Sequence, residues 1–457
     1  MMKIRSFKSI SNKHDVIKEC ISFHVNEEHN EIDHTMKIHD DIWTNLFPVL
    51  KSNEQNQIEE NLEILYDFLT QFDYKITFPE MNFTQFLSLL SNNVQEIQVL
   101  AVNILLQYIF HNIENGRMFV QNHIFEFLFN QIMLFNEQTF VLFPILRALV
   151  SVDFETSLKM FQFFPSQFFI ELTKNEILNQ ELGIFVFNLS EYELDEQLQH
   201  FTLLIISKLF PFQDPKTLQY LSHALLNLSD KDNFCFPCYS SLQFDHILIY
   251  LLENPKLHCV LPINLFLFNI LPFYKELNIN AKIIEAIIKY SLNPRKIKRC
   301  ESSLKLLRKL LYMKILSIDK IIDTDLEIAL INVFHYKKSS YSTKREISHF
   351  LMSFSLDLCF ERFNHLIVCG LPQIIEFIFL SDDLTLLLLC RDVLEKFIPL
   401  FISGNTLAFL RIQLLECLKP EIIDHMLLDS GNDEVILFAS NLRNLASLFS
   451  NDEISNT

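Results

Sequence analysis

The amino-acid sequence predicts an all-α protein, a superhelical solenoid of stacked helical repeats, on three observations. The 457 residues include only 5 Gly, whereas sheets with tight hairpins need Gly at turn positions with φ > 0. Hydrophobic residues make up 49% of the chain, which is enough for a continuous core. Helical segments of similar pattern recur about every 40 residues along nearly the whole chain, as in repeat proteins.

The recurrence is clearest in three segments that carry an Asn near the end of an apolar helical pattern. The segments read GIFVFNLSE (183–191), SHALLNLSD (222–230) and NLFLFNIL (264–271). Their shared Asn residues are Asn188, Asn227 and Asn269. Because the three are separated by 39 and 42 positions, they indicate one repeated unit.

The same hydrophobic register extends in both directions and defines nine aligned positions, called the column below. The other six column residues are Asp67, Gln107, Ala148, Lys309, Ser353 and Lys396. Successive column residues lie 39 to 44 positions apart, and a last helix around Asn444 fits after a slightly longer gap. About nine to ten units therefore span the chain.

Each unit is predicted to contain a short helix, a long helix that carries the column residue, and a second long helix. In the second unit, apolar residues at helical spacing predict the middle helix at 95–110. The next helix is expected near 116–132. One such unit cannot bury its apolar face alone, so stacking should create a superhelix with a concave surface.

Three segments are expected along the chain. Residues 1–40 form an N-terminal segment that is partly disordered, residues 41–449 form the repeat solenoid, and residues 450–457 form a disordered tail.

Residues 369–377 (CGLPQIIEF) resemble a step of the armadillo family, in which a Gly ends one helix and an apolar–Pro pair opens the next. Proline suits this place because the first-turn N–H groups of a helix have no intrahelical partner. Residues 115–120 look like a looser copy. The resemblance implies an all-α, right-handed superhelical solenoid of about nine to ten armadillo-like repeats that binds other proteins.

Within that family the layout most resembles importin-α, an adaptor that carries nuclear-localisation peptides. Residues 40–43 (DDIW) with 49–54 resemble the start of its repeat core, and 344–397 resemble its late repeats. In importin-α the Asn column lines the concave groove and holds the peptide backbone, since an amide offers both a donor and an acceptor. The resemblance implies peptide-binding residues here at Asn188, Glu191, Asn227, Asp230 and Asn269.

The partner implied by the resemblance is a basic or extended peptide segment of another protein, together with nuclear-transport receptors. Glu191 and Asp230 follow their Asn residues by about one helical turn and would face basic side chains. Such a carrier acts in the cytoplasm and the nucleus.

A second hypothesis is an armadillo-type scaffold subunit of a cytoskeletal, signalling or trafficking complex. In importin-α a Trp one turn before each Asn forms a shelf for Lys and Arg stems. No Trp occupies these shelf positions here, and residues 1–40 lack a dense basic arm. The shelf positions hold Glu63, Asn103, Pro144, Ile184, His223, Leu265, Lys305, His349 and Asp392. An Asn on a helix also has a purely structural use, bonding nearby backbone groups.

Composition excludes several classes. A net charge of −18 opposes direct binding to nucleic acid and favours basic partners, or serves solubility alone. No apolar run approaches the roughly 20 residues of a membrane span. Nine Cys without paired spacing and a first segment without a secretory pattern indicate a soluble protein in a reducing, cytoplasmic or nuclear compartment.

No enzyme activity, cofactor or metal is expected. Five scattered Gly cannot build a phosphate-binding loop, and no GxSxG or HExxH motif occurs. Cys235 and Cys238 form a CxxC pair with His258 and Cys259 about twenty residues later, but a second ligand pair is missing.

One basic cluster stands out in the acidic chain, at residues 295–309, from Arg295 to Lys309. Two interpretations stay open. It is either a solvated helix face or a patch that receives an acidic segment, such as residues 421–453 of this chain.

Overall fold

The computed structural model is helical throughout the part of the chain that it describes. The described residues are 28–50, 54–71, 75–80, 83–133, 137–210, 214–242, 244–254, 258–273, 279–381, 383–403, 419–429 and 432–454. No β-strand occurs within these ranges, which confirms the all-α prediction. None of the described helices is long and apolar enough to cross a lipid bilayer. Two compact units divide the chain, Met1–Leu189 and Ser190–Thr457.

The first unit contains ten described helices, the last of which ends at the boundary. They are α1 (Glu28–Val49), α2 (Gln55–Gln71), α3 (Phe83–Leu89), α4 (Gln95–His111), α5 (Ile113–Gln121), α6 (Ile124–Ile132), α7 (Glu137–Val150), α8 (Phe154–Phe163), α9 (Ser166–Leu172) and α10 (Asn179–Ser190).

The second unit contains the remaining described α-helices. They are α11 (Glu196–Leu209), α12 (Pro215–Ser229), α13 (Phe236–Ser241), α14 (Asp245–Glu253), α15 (Val260–Ile270), α16 (Ala281–Ser291), α17 (Ile297–Tyr312), α18 (Ile318–Asp323), α19 (Leu326–His335), α20 (Tyr341–Ser355), α21 (Phe360–Cys369), α22 (Leu371–Phe379), α23 (Leu384–Ser403), α24 (Pro420–Asp429) and α25 (Asp433–Ile454).

The column residues lie in the C-terminal half of nine of these helices, which we call the column helices: α2, α4, α7, α10, α12, α15, α17, α20 and α23. In the first unit α2 packs against α4, and α4 packs against α7. In the second unit α12, α15, α17, α20 and α23 pack in that order, each on the next. One or two other helices separate successive column helices, an arrangement compatible with an α-solenoid.

The expected helix at 95–110 is confirmed by α4 (Gln95–His111). The expected single helix at 116–132 is wrong, because the chain breaks it into α5 and α6. The amide of Asn122 donates to the carbonyl of Met118 at 2.9 Å and closes α5. His123 then takes a left-handed conformation (φ 64°) that turns the chain before α6.

The Gly–Pro step occurs as the sequence predicts. Helix α21 ends at Gly370, whose φ of 113° favours glycine, and Pro372 lies in the first turn of α22. The looser copy differs, because Gly116 lies inside α5. A Cβ added there would lie 2.4 Å from Cγ2 of Val152, so this glycine permits a close approach.

The chain ends fall partly outside the described residues. Residues 1–27, most of the expected N-terminal segment, are not described, and α1 crosses the expected boundary at residue 40. Helix α25 runs to Ile454, within the expected tail.

An aromatic cluster forms part of the core of the first unit. Trp43, the one Trp of the chain, is only 3% exposed, and its indole Nε1 donates to the hydroxyl of Tyr108 at 2.7 Å. The ring of Phe78 lies edge-on to both, with centroids 5.1 Å from Trp43 and 4.9 Å from Tyr108. Trp43 is therefore a core residue.

Buried Asn115 ties this cluster to the extended segment at 75–80. Its Oδ1 accepts from the backbone N–H of Phe78 at 2.8 Å. Its Nδ2 donates to the carbonyls of Ile76 at 2.8 Å and Tyr108 at 2.7 Å. One side chain thus bonds three backbone groups; the carbonyl of Tyr108 also accepts from the N–H of Asn112 at 3.0 Å.

Replacing Asn115 by Ala should lower the free energy of unfolding of the first unit by about 3 kcal/mol, since buried backbone groups lose their partners. Urea unfolding followed by Trp43 fluorescence measures this unit alone. Asn56→Ala, at an exposed position in the first turn of α2, is the control and should change stability by less than about 0.5 kcal/mol. Equal effects of the two substitutions would contradict the role given to Asn115.

Candidate functional site

The Asn residues of the column are half-buried, and their side-chain amides bond within the chain. In the first unit, Nδ2 of Asn188 donates to the carbonyl of Arg147 at 3.3 Å, near the end of the preceding column helix α7. In the second unit, Nδ2 of Asn269 donates to the hydroxyl of Ser229 at 3.3 Å, the last residue of α12. Each bond reaches back by one repeat.

Asn227 follows the same rule and explains the recurring Asn–Leu–Ser sequence. Its Nδ2 donates to the hydroxyl of Ser190 at 3.2 Å. Ser190 and Ser229 each lie two residues after a column position, and each accepts from the next column Asn. The Asn residues were predicted from their recurrence, whereas these Ser partners were not. The Asn–Leu–Ser sequence shared by the two segments could have indicated them.

Lysines continue the pattern further along the second unit. Nζ of Lys309 donates to the carbonyl of Phe268 at 2.6 Å and lies 3.9 Å from the centre of its ring. Partial burial lowers the pKa of Lys309. Nζ of Lys396 donates to the carbonyls of Leu356 and Leu358 at 2.6 and 2.9 Å. Because the last carbonyls of a helix lack intrahelical partners, these donors close the end of the preceding column helix.

In the second unit we call a set of exposed and half-buried side chains the ridge; they lie on α12, on α15 and the 3-10 turn that follows it, and on α17. Shelf positions in all three helices are exposed. Phe273 is 50% exposed and Tyr312 is 87% exposed, far more than large aromatic side chains usually are. The ridge residues are His223, Leu265, Phe268, Phe273, Lys305, Arg308 and Tyr312.

Two cations on the ridge share one carboxylate. Lys305 and Arg308 each lie 3.8 Å from Glu346, whose side chain is nearly buried. Glu346 offsets only one of these two charges, and Glu301, one turn before Lys305 on α17, accepts from Ser340, Ser342 and Thr343. The rest of the basic cluster points elsewhere: Nη2 of Arg299 meets Nδ1 of His258 at 3.0 Å, and Arg295 lines an open cleft of about 450 Å³.

The two predicted acidic residues, Glu191 and Asp230, lie close to Lys231. Glu191 and Asp230 are both exposed, and Asp230 caps the end of α12. Nζ of Lys231 donates to the backbone carbonyl of Glu191 at 3.0 Å. Of the five predicted peptide-binding residues, the structure places Glu191, Asn227, Asp230 and Asn269 in the second unit and Asn188 in the first.

The ridge stops at α20, where the shelf position is buried. His349 Nε2 and Arg345 Nε lie 2.9 and 2.6 Å from Oδ2 of Asp383, which is 9% exposed. Burial alone would raise the pKa of Asp383, but hydrogen bonds from Arg345 and His349 lower it to about 2.

The residue beside the CxxC pair is Glu196 of α11, and not His258 or Cys259. Sγ of Cys235 lies 2.7 Å from Sγ of Cys238 and 3.7 Å from Oε1 of Glu196. His258 and Cys259 do not belong to this group, since His258 meets Arg299. Burial, and then the neighbouring Cys235 and Glu196, raise the pKa of the Cys238 thiol to about 12.

Comparison with known proteins bears on the fold alone. No family model matches the chain, and no curated protein matches it. It matches 111 chains of solved structures. One of these is the crystal structure of an engineered protein, with 13% identity and a TM-score of 0.61 over 89% of this chain and 99% of that chain. The TM-score indicates a similar fold, and at this low identity the similarity gives no partner or activity.

Asp383→Asn should lower the free energy of unfolding at pH 7 by about 2 kcal/mol, because a pKa depressed from 3.8 to about 2 stabilises the folded state. The amide keeps the cap on α23, where Oδ1 accepts from the N–H of Leu386. Its NH2 group replaces Oδ2 and cannot accept from Arg345 and His349, so the pH dependence of the effect identifies the part due to charge. The stabilisation is present above about pH 4 and disappears as the pH falls toward 2. Urea unfolding at pH 7 and pH 3 should show a smaller difference between wild type and variant at pH 3.

Asp357→Asn, at an exposed position, is the matched control and should be neutral at pH 7. A difference between wild type and Asp383→Asn that stays constant with pH would show that the ionised carboxylate does not stabilise the fold.

Asn269→Ala and Ser229→Ala should be non-additive, because each substitution breaks the same hydrogen bond. We expect a coupling free energy of about 1 kcal/mol in a double-mutant cycle, measured by urea unfolding followed by circular dichroism. Asn269→Ala combined with Ser190→Ala is the control cycle, since Ser190 bonds Asn227 instead. Additive effects in the first cycle would exclude a contribution of this bond to stability.

Proposed function

We propose that this chain is a protein-binding adaptor, a right-handed armadillo-like solenoid of about nine to ten repeats that binds an extended segment of a partner along the ridge. The observation that carries this proposal is the exposure of two aromatic side chains, Phe273 in the turn after α15 and Tyr312 at the end of α17. Phe273 and Tyr312 stay half or more exposed although the core is well filled. Apolar side chains grouped on a surface mark interaction sites more often than chance.

The ridge favours an acidic segment with apolar side chains. Lys305 and Arg308 supply positive charge, and Leu265, Phe273 and Tyr312 supply apolar contacts. A basic peptide would meet like charge on α17, and juxtaposed like charges suppress binding. The ridge therefore supports a scaffold that recognises an acidic–apolar segment over a carrier of basic peptides.

The donors of the column support the same choice. In importin-α the Asn amides hold the peptide, whereas here the amides of Asn227 and Asn269 donate to Ser190 and Ser229. A peptide using those amide protons would have to break bonds between repeats. This observation supports the alternative stated above, in which the Asn side chains of the column bond nearby groups of the chain and serve a structural purpose.

An importin-α-like carrier in the cytoplasm and nucleus is the second candidate, and the end of α12 favours it. There the exposed carboxylate of Asp230 lies three residues after Asn227, and the neighbouring Lys231 bonds the backbone carbonyl of exposed Glu191. Carboxylates in that place suit Lys or Arg side chains of a localisation peptide.

The cleft beside α16 and α19 fits binding better than catalysis. It is open, and its described lining contains no carboxylate, His or Cys that could act as a general base or nucleophile. The lining residues are Leu292, Asn293, Pro294, Arg295, Asn332, Val333 and Tyr336. We therefore propose a non-enzymatic role.

Fluorescein-labelled peptides of three compositions test the proposal: acidic–apolar, basic, and neutral polar. The acidic–apolar peptide should bind, and Lys305→Gln with Arg308→Gln should weaken its affinity about 10-fold, or about 1.4 kcal/mol, in fluorescence anisotropy. Added salt should weaken binding as well, since exposed charges are screened.

Lys282→Gln with Lys289→Gln is the matched control, because both lysines are exposed on α16, away from the ridge. The control should leave the affinity unchanged, and circular dichroism should show all variants folded. Binding of the basic peptide, lost in Asn227→Ala with Asp230→Asn, would establish the carrier instead. No binding of any peptide to folded protein would overturn the proposal.

A further inference from the structure

Helix α11 and the start of α13 bring together three side chains of types that can bind metal ions, in the second unit. Cys235 and Cys238 flank the start of α13, and Glu196 is the first residue of α11. One ligand atom from each lies within 4.8 Å of the others. Forty residues of sequence separate Glu196 from the two cysteines, so only the fold creates this group.

A buried amide fixes the loop that carries the cysteines. Oε1 of Gln199 accepts from the backbone N–H of Cys235 at 2.7 Å. Nε2 of Gln199 donates to the carbonyls of Leu194 and Asn233 at 2.9 and 3.0 Å. All the hydrogen-bonding groups of this 2% exposed side chain are thus used.

The amide of Asn233 holds the loop a second time. Its Nδ2 donates to the carbonyl of Leu194 at 2.8 Å, the same carbonyl that Gln199 uses. Glu196 and Gln199 lie one turn apart on the same face of α11. The helix that anchors the backbone of Cys235 therefore also places a carboxylate beside its thiol.

We propose that Cys235, Cys238 and Glu196 bind a thiophilic divalent cation of the zinc class. Zinc prefers four ligands in a tetrahedron, with bonds of about 2.3 Å to sulfur and about 2.0 Å to carboxylate oxygen. Ligand atoms then lie roughly 3.5–3.8 Å apart. The 3.7 Å between Cys235 Sγ and Glu196 Oε1 already matches, and the two sulfurs must separate by about 1 Å, which a side-chain rotation provides.

A metal ion would bind the cysteines as thiolates, so its binding would release thiol protons. Softness supports zinc over magnesium or calcium, because thiolates select zinc-like metals and the harder cations prefer oxygen ligands. The exposed carboxylate of Glu196 leaves one side open, so the fourth ligand is water or a side chain of a partner.

Titration of the full-length, reduced, metal-free protein with Zn²⁺ in competition with a chromophoric chelator tests this site. We expect one Zn²⁺ per chain. Co²⁺ should give the sulfur-to-metal absorption and the intense visible bands of a tetrahedral thiolate site. Cys235→Ser and Cys238→Ser should each weaken binding by more than about 100-fold, beyond the range of outer-shell changes, and Glu196→Gln should weaken it at least about 10-fold.

Cys359→Ser and Glu193→Gln are the matched controls, since both residues are exposed and lie outside the group. They should bind Zn²⁺ like wild type. Circular dichroism keeps the test interpretable by showing that each variant is folded. Absence of one-to-one Zn²⁺ binding by the reduced wild type, or equal loss in the control variants, would overturn the proposal. No ligand of the site is a ridge residue, but the ring of Phe273 stacks on that of Phe236, between the two cysteines, with centroids 5.5 Å apart. The Zn²⁺ and peptide titrations have separate readouts, so the failure of one proposal is distinguishable from the failure of the other.

Discussion

The carbonyl groups at the end of each column helix set the main constraint on this fold. A helix leaves its last carbonyls without intrahelical partners, and a stack of helices buries those ends against the next repeat. Here the next repeat supplies the donor: the amide of Asn188 for Arg147, and the ammonium groups of Lys309 and Lys396 for Phe268 and Leu356. Asn occupies this position in some repeats and Lys in others, because both side chains reach the preceding repeat with an N–H group. These column residues therefore connect successive repeats by hydrogen bonds, and we call each such contact a joint.

This joint also shapes the surface available to partners. Side chains one turn before the column point outward on α12, α15 and α17, which leaves Leu265 and Lys305 at the surface. The exposed surface ends at α20, where the shelf residue His349 is buried against Asp383. Positive charge on the ridge of an acidic chain thus arises from a few residues on α17. Net charge describes the whole chain and does not give the sign of a local surface.

Periodicity made helix α4 and the column predictable from sequence, and the resemblance to the armadillo Gly–Pro step made the turn at Gly370 predictable, because each depends on residues close together in the chain. The break at His123 was not predictable by periodicity, since the apolar spacing continues across it. The Ser partners of the Asn residues and the approach of Glu196 to Cys235 depend on contacts about 40 residues apart. A single sequence gives no direct measure of such pairs. The division into two units at Leu189 left no composition signal either.

The bonds at the joints run in one direction, from a later repeat to an earlier one, as from Asn269 to Ser229 and from Lys309 to Phe268. A ribosome makes the earlier helix first. Its final carbonyls must therefore wait for about 40 more residues, which at roughly 5–20 residues per second takes on the order of seconds. For these pairs of repeats, the end of the earlier helix stays open during synthesis until the donor of the next repeat has been made.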